Sequence, residues 1–199
     1  MQTETKLVCG VGVNDAGYPV SIYAVIHGKQ KQLWRCPFYR AWMHMIERCY
    51  SAKVHARQPT YAGCSVAPEW HSFSAFREWM AGQPWEGSDL DKDSLVPGNK
   101  VYSPDTCVFI SHALNKFLND NAAARGEWPL GVSWHKGRGK FKAQCRNPFA
   151  KKNEYLGLFD CPGTAYEVWR ARKHQHACRY ADQQTDQRIA NALRSRYAR

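Results

Sequence analysis

Nowhere in this chain do 18 apolar residues occur together, and its opening ten residues, MQTETKLVCG, hold no apolar signal run. No membrane span or secretory route is expected, and the reading is a cytoplasmic protein with reduced thiols. The eight cysteines (Cys9, Cys36, Cys49, Cys64, Cys107, Cys145, Cys161 and Cys178) never form a CxxC, so no zinc site is expected. Most of them read as small buried hydrophobes. Acid is the other scarcity. Residues 123–199 hold 6 Asp/Glu against 16 Lys/Arg, whereas residues 1–122 hold 11 against 12. A surface kept basic for solubility alone does not segregate charge in this way, so the carboxyl side reads as a polyanion-binding module. Double-stranded DNA is the expected partner; a membrane surface is not.

Aromatic residues are plentiful. Eight Trp, 10 Tyr and 8 Phe within 44% hydrophobic content are ample for packed cores, and 199 residues suit one large or two small domains. Residues 6–33 read as an amino-terminal β-hairpin, with VCGVGV alternating, a turn at Asn14–Gly17, and Val20–Ile26 returning. Pro37 starts a helix through about Ser51 whose buried stripe is Phe38, Trp42, Met45, Ile46 and Cys49. A loop from Lys53 to about Val66 leads to a second amphipathic helix near Ser72–Ala81, burying Phe73, Phe76, Trp79 and Met80. His44, His55 and His71 in this region read as non-catalytic.

The segment Leu90–Leu118, LDKDSLVPGNKVYSPDTCVFISHALNKFL, carries the densest chemistry. Asp91 and Asp93, two apart, are expected on a short strand with both carboxylates on one face. After a loop at Pro97-Gly98-Asn99 comes a strand around Thr106–Ile110, then a helix capped by Ser111 and carrying Asn115. In such a ββα unit a carboxylate and an amide can converge as oxygen ligands for a hard divalent cation such as magnesium. The competing reading is a surface hairpin whose charges are solvated.

Together with Trp42…Arg48-Cys49-Tyr50, Tyr61-Ala62-Gly63-Cys64 and Trp70…Phe73…Phe76…Trp79-Met80, this run resembles the phage branch of the HNH, or His-Me finger, endonucleases over roughly Cys36 to Leu118. The resemblance implies a ββα unit that hydrolyses DNA phosphodiesters, of homing character, with Asp91 and Asn115 holding magnesium. It also puts Lys92 at the position of the catalytic histidine and Thr106 at that of the middle asparagine. Lysine, with an ordinary pKa of about 10.4, is charged near neutrality and is no general base, though it can bind phosphate oxygen as a point charge. His112, three residues before Asn115 on the same helix face, is the substitute base; a solvent-facing histidine is the alternative.

Beyond a polar, Ala-rich linker at Asn121–Arg125, strands are expected at Gly131–Lys136, Lys140–Arg146 and Glu154–Phe159. A helix follows, opened by a Thr164/Glu167 capping box and carrying Tyr166, Val168 and Trp169. In the second strand Phe141, Ala143 and Cys145 alternate with Lys140, Lys142, Gln144 and Arg146, which puts the four polar residues on one face. The pattern GV…GKFKAQCR…EYLGLFD…AYEVW, over roughly Leu130–Tyr180, resembles an AP2-type DNA-binding domain. That resemblance implies a DNA-facing set of Ser133, His135, Arg138, Lys140, Lys142, Gln144, Arg146 and Tyr155. Arg146 is suited to guanine, Gln144 to adenine and the lysines to phosphates. Ser133 stands where an arginine is usual.

The tail Asp182–Arg199 reads as a helix whose ridge of Ile189, Leu193 and Tyr197 packs on the preceding helix, forms a dimer, or orders on DNA. The expected fold class is α+β: a His-Me finger domain over 1–122, an AP2-like three-stranded sheet with one helix over 123–181, and a basic helix over 182–199. Three functions follow. One is a metal-dependent DNA endonuclease. The others are a lapsed nuclease that binds DNA and acts by occupancy, and an interaction factor that uses the ββα unit as scaffold.

Overall fold

The computed structural model describes residues 7–119 and 126–198. It is a mixed α+β fold with small sheets and, among the described residues, six α-helices. The chain separates into two compact units, Met1–Ile110 and Ser111–Arg199. The expected boundary at 122/123 and its linker Asn121–Arg125 lie outside the described residues.

In the first unit, β1 (Ser21–Ile26) pairs antiparallel with β2 (Lys29–Arg35). His27 (φ 51°) and Gly28 (φ 71°) make the two-residue turn, both in the left-handed region that suits the twist of a hairpin. The expected hairpin is therefore displaced along the chain: Val20–Ile26 pairs forward, and VCGVGV is not a strand. Cys9 (φ 51°) and Gly10 (φ 77°) turn the backbone back at once, so that Val8 N donates to Gly12 O at 2.8 Å. Gly12 lies flat on the core, where a Cβ would stand 2.8 Å from the Trp42 indole. The chain then runs beside residues 71–73, with Val13 N donating to His71 O at 2.8 Å.

Helix α1 (Pro37–Tyr50) has Pro37 in its first turn, where the missing N–H costs nothing, and buries Trp42, Met45, Ile46 and Cys49, with Phe38 half-buried. The expected loop after it instead holds α2 (Ala52–Arg57), because Ser51 Oγ caps Val54 N and no Gly or Pro interrupts the segment before Pro59. Helix α3 (Phe73–Ala81) starts where predicted, with Ser72 Oγ accepting from Ala75 N at 3.1 Å. Asp15 braces that start, accepting from the Ser72 hydroxyl at 2.6 Å and Ser74 N at 2.8 Å. Trp42, Trp70, Phe73 and Phe76 form the centre of the core, where Trp42 Nε1 donates to Trp70 O at 2.8 Å. Trp79 packs on it half-buried. Two short pairs complete the unit: β3 (Ser65–Val66) lies parallel to β5 (Val101–Tyr102), and β4 (Ser88–Asp91) pairs with β6 (Val108–Ser111).

The second unit opens with α4 (His112–Leu118), capped by Ser111 Oγ accepting from Leu114 N at 3.2 Å. A three-stranded antiparallel sheet follows in the order β7 (Val132–His135), β8 (Lys140–Asn147), β9 (Lys152–Phe159). Helix α5 (Pro162–Ala181) buries Ala165, Trp169, Ala177 and Tyr180. It starts two residues before Thr164, with Cys161 at the cap and Pro162 in the first turn, so the expected Thr164/Glu167 capping box is not formed. Glu167 pairs instead with Arg170 at 3.1 Å. The tail is shorter than predicted: α6 spans Gln187–Arg196, set by Asp186 accepting from Arg188 N at 2.8 Å. Its ridge packs within its own unit. Ile189 and Leu193 are buried, and the Tyr197 ring meets Trp169 and Phe117 with centroids 6.2 Å away.

Candidate functional site

The β7–β9 sheet has one face packed by α5 and one that carries polar side chains. Residues directly opposite across antiparallel strands point the same way, so register assigns the faces. Lys142 lies opposite Ser133 and Lys140 opposite His135, while Gln144 is opposite Tyr155 and Arg146 opposite Asn153. Seven of the residues expected to face DNA thus share one face: Ser133, His135, Lys140, Lys142, Gln144, Arg146 and Tyr155. Arg138 stands apart from them, on the short 3-10 turn Lys136–Arg138 that joins β7 to β8. Ser133, His135, Arg146 and Tyr155 are exposed, Tyr155 at 63%. Lys140 is paired with the exposed Asp160 at 3.1 Å, so its charge is partly answered within the chain.

The other face holds Phe141, Ala143 and Cys145, with Ala143 and Cys145 fully buried. Gly131 enters the sheet at φ +72°, against the Trp169 indole so closely that a Cβ would lie 1.9 Å from its Cδ1. Glu154, on the same side, anchors sheet to helix. It accepts from Arg172 Nε at 2.7 Å, Arg172 Nη2 at 2.8 Å and Asn147 Nδ2 at 2.7 Å, and lies 3.1 Å from His176 Nε2. The Arg172 and Asn147 bonds hold its carboxyl well below the usual carboxylate range, and burial holds His176 below its ordinary value. This cluster fixes the sheet on α5. An isolated acid inside a strongly basic segment was its only sequence signal.

Compared with known proteins, the chain matches no family model, no curated sequence and no solved structure.

The ββα residues divide between the units: Asp91, Lys92 and Thr106 in the first, His112 and Asn115 in the second. Asp91 closes β4, where its Oδ1 accepts from the amides of Asp93 (3.0 Å) and Ser94 (2.6 Å). That turn ends the strand, so Asp93 is not on it and the expected shared face of the two carboxylates does not exist. Burial pushes the Asp91 carboxyl above its ordinary value. Lys92 is 8% exposed, with its ammonium 3.1 Å from Asp93 Oδ2 and 5.8 Å from the centre of the Tyr102 ring. It is an interior cation, not one extended towards solvent phosphate. Asn99 locks the same turn, its Nδ2 donating to Lys92 O and Val101 O, each at 2.7 Å.

Thr106 precedes β6 instead of starting it; its hydroxyl lies 2.8 Å from Ser103 Oγ and donates to Val101 O at 3.1 Å. His112 is exposed at the first position of α4, and Asn115 is half-buried one turn on. Among the described residues, no three His, Cys, Asp or Glu side chains gather as a metal cluster. The nearby Cys49 and Cys107 thiols are pushed up to about 12 by burial, which keeps them protonated. Among the other histidines, His55 and His71 each bond a backbone carbonyl, Arg48 O at 2.9 Å and Val66 O at 3.1 Å.

Proposed function

We propose that this chain binds duplex DNA through the polar face of the β7–β9 sheet, as an AP2-like module joined to a His-Me finger-like unit. The observation that carries the reading is the register that gathers Ser133, His135, Lys140, Lys142, Gln144, Arg146 and Tyr155 on one face of a half strongly depleted in acid. Arg146 has the fork that meets guanine O6 and N7, and Gln144 the amide that meets adenine N6 and N7. Lys142, a point charge on the same face, would meet phosphate. Lys140 joins it on leaving Asp160, an exposed pair worth about 0–1 kcal/mol.

The test is fluorescence anisotropy of a labelled duplex over a range of salt concentrations. Each phosphate that a cationic side chain neutralises adds about 0.9 to the slope of log affinity against log salt, so Lys140→Ala with Lys142→Ala should lower that slope by about 2. If Arg146 reads a base, its share appears as about 1–3 kcal/mol on a preferred sequence and much less on random DNA. An unchanged slope and unchanged affinity overturn the reading.

A second reading, metal-dependent hydrolysis of DNA phosphodiesters, is favoured by the chain order of β4, its partner β6 and then α4, with Asp91 ending β4 and Asn115 on α4. A carboxylate and an amide are oxygen donors of the kind magnesium takes, so Asp91 and Asn115 are the residues that would hold it. Both backbone bonds to Asp91 fall on Oδ1. When bound, the ion supplies charge neutralisation at the phosphate. The chain's own residue for taking a proton from water is His112, since the Lys92 ammonium is committed to Asp93.

Plasmid incubated with and without magnesium tests this. Asp91→Asn and Asn115→Ala should stop cleavage while DNA binding persists, and His112→Ala should slow it by about 10²–10⁴. An Asn115→Ala variant that cuts at the unaltered rate removes the second reading. What then stands is a DNA binder that acts by occupancy.

A further inference from the structure

The β1–β2 hairpin is thinly covered. Neither strand contains one buried residue, and among the described residues no third strand pairs with either. Ile22, Tyr23, Val25, Leu33 and Trp34 are all exposed, Val25 at 75%. A two-stranded hairpin with nothing on its faces is marginal by itself, and exposed apolar side chains grouped in one place mark an interaction surface. The root is fixed. Cys36 N donates to Val20 O at 2.9 Å, and Arg35 donates to Ser21 Oγ at 3.3 Å and approaches Met43 Sδ at 3.5 Å. The tip at His27-Gly28 is exposed.

Charge identifies the partner. From residue 16 to residue 46 there is no Asp or Glu, while Lys29, Lys31, Arg35 and Arg40 fall in that stretch. A second copy of the hairpin would bring like charges together, whereas a polyanion is attracted. The register sorts the side chains. Lys29, Lys31 and Trp34 share a face with Ile26, Ala24 and Ile22, and Gln30 and Gln32 share the other with Val25 and Tyr23. Six or seven residues at about 3.3 Å each give a ribbon about 20 Å long, and a major groove about 12 Å wide admits a two-stranded ribbon.

We infer that β1–β2 is a second DNA-contacting element, separate from the β7–β9 sheet, which enters a groove with Lys29 and Lys31 towards phosphates and with Gln30, Gln32 and Tyr23 towards the groove floor. This rests on the DNA-binding reading above. Glutamine amides are able to pair with adenine edges, and the aromatic and aliphatic side chains suit sugars and thymine methyls.

The full chain and a labelled mixed-sequence duplex test it, with four double variants measured side by side. Lys29 and Lys31 are exposed, so their replacement should leave the melting curve unchanged. Lys29→Ala with Lys31→Ala should lower the salt slope by about 2, and Lys29→Arg with Lys31→Arg should restore it. If that slope is unchanged while Lys140→Ala with Lys142→Ala lowers it, the hairpin inference is overturned and the sheet reading stands. The opposite pair of results removes the sheet and keeps the hairpin. A full chain with no salt-dependent DNA binding removes both. Should Val25→Asp with Leu33→Asp dissociate an oligomer and leave DNA affinity untouched, the hairpin joins copies of the chain and the inference is wrong.

Discussion

Asp91 accepts two backbone hydrogen bonds on one oxygen, so removing its side chain has a structural cost separate from any chemistry. Asp91→Ala leaves the amides of Asp93 and Ser94 unpaired in a half-buried turn, and should destabilise the first unit by about 1–3 kcal/mol. Asp91→Asn keeps an acceptor in the same place and should unfold within about 0.5 kcal/mol of the unaltered chain. Urea denaturation followed by tryptophan fluorescence separates the two, and equal losses would show that the carboxylate charge, not the acceptor, is what matters. The cysteines give a second prediction at this scale. Cys161 is exposed at the cap of α5, where the amides of Thr164 and Gly163 hold its thiol below the ordinary value. Cys9 is also exposed, but partial desolvation and then Glu47 push its thiol up. A lowered pKa means more thiolate near neutrality, so a maleimide should modify Cys161 first and Cys9 second. The gap should narrow as pH rises and both thiols ionise. Peptide mapping of a brief labelling would reveal the order, and early reaction of Cys49 or Cys107 would contradict their burial in the core.

At the scale of elements, Gly131 joins β7 to α5. Its positive φ alone costs a residue with a Cβ about 1–2 kcal/mol, and that Cβ would overlap the Trp169 ring. Gly131→Ala should therefore destabilise the second unit by at least that amount, seen as a lower melting temperature with the first unit unaffected. What the sequence disclosed about elements divides along the same line. Period-3.6 stripes and period-2 alternation exposed α1, α3 and β8, because burial on one face imprints itself on neighbouring residues. VCGVGV misled because its alternation comes from glycines, and Gly10 and Gly12 serve a tight turn and a close approach to Trp42. Thr164 and Glu167 fit a capping pattern, but Pro162 starts the helix first. The candidate sheet face was legible because alternation in β8 reports it directly, with Tyr155 aligned by β9. The turn at Asp91 was not, because the Oδ1 bonds that end β4 depend on backbone geometry that the LDKD string does not encode.

Across the whole molecule, the division falls at Ile110 and Ser111, so α4 belongs with the basic sheet and its helices. Within that unit Lys173 Nζ donates to Phe117 O at 2.7 Å and lies 3.7 Å from the Phe117 ring centre, and Phe117 meets Tyr180 with centroids 5.0 Å apart. A fragment of residues 111–199 should fold cooperatively and bind DNA with salt dependence. A fragment of 123–199 lacks those interactions, exposes Tyr180, and should be less stable by about 3–5 kcal/mol, the usual loss for a buried Phe. Calorimetry on both fragments decides it, and equal stability would place α4 outside the cooperative unit. One last feature lies in β9, where Tyr155 is opposite Gln144 and Gly157 opposite Ala143, leaving Leu156 as an extra residue in the strand. Chain length is normally fixed inside a strand, since losing one residue turns its remaining side chains to the other face. Leu156 is an exception. Deleting it leaves Tyr155 and Leu158 facing as they do now and forfeits only its packing beside α5, so β9 can shorten at this point without rewriting the polar face.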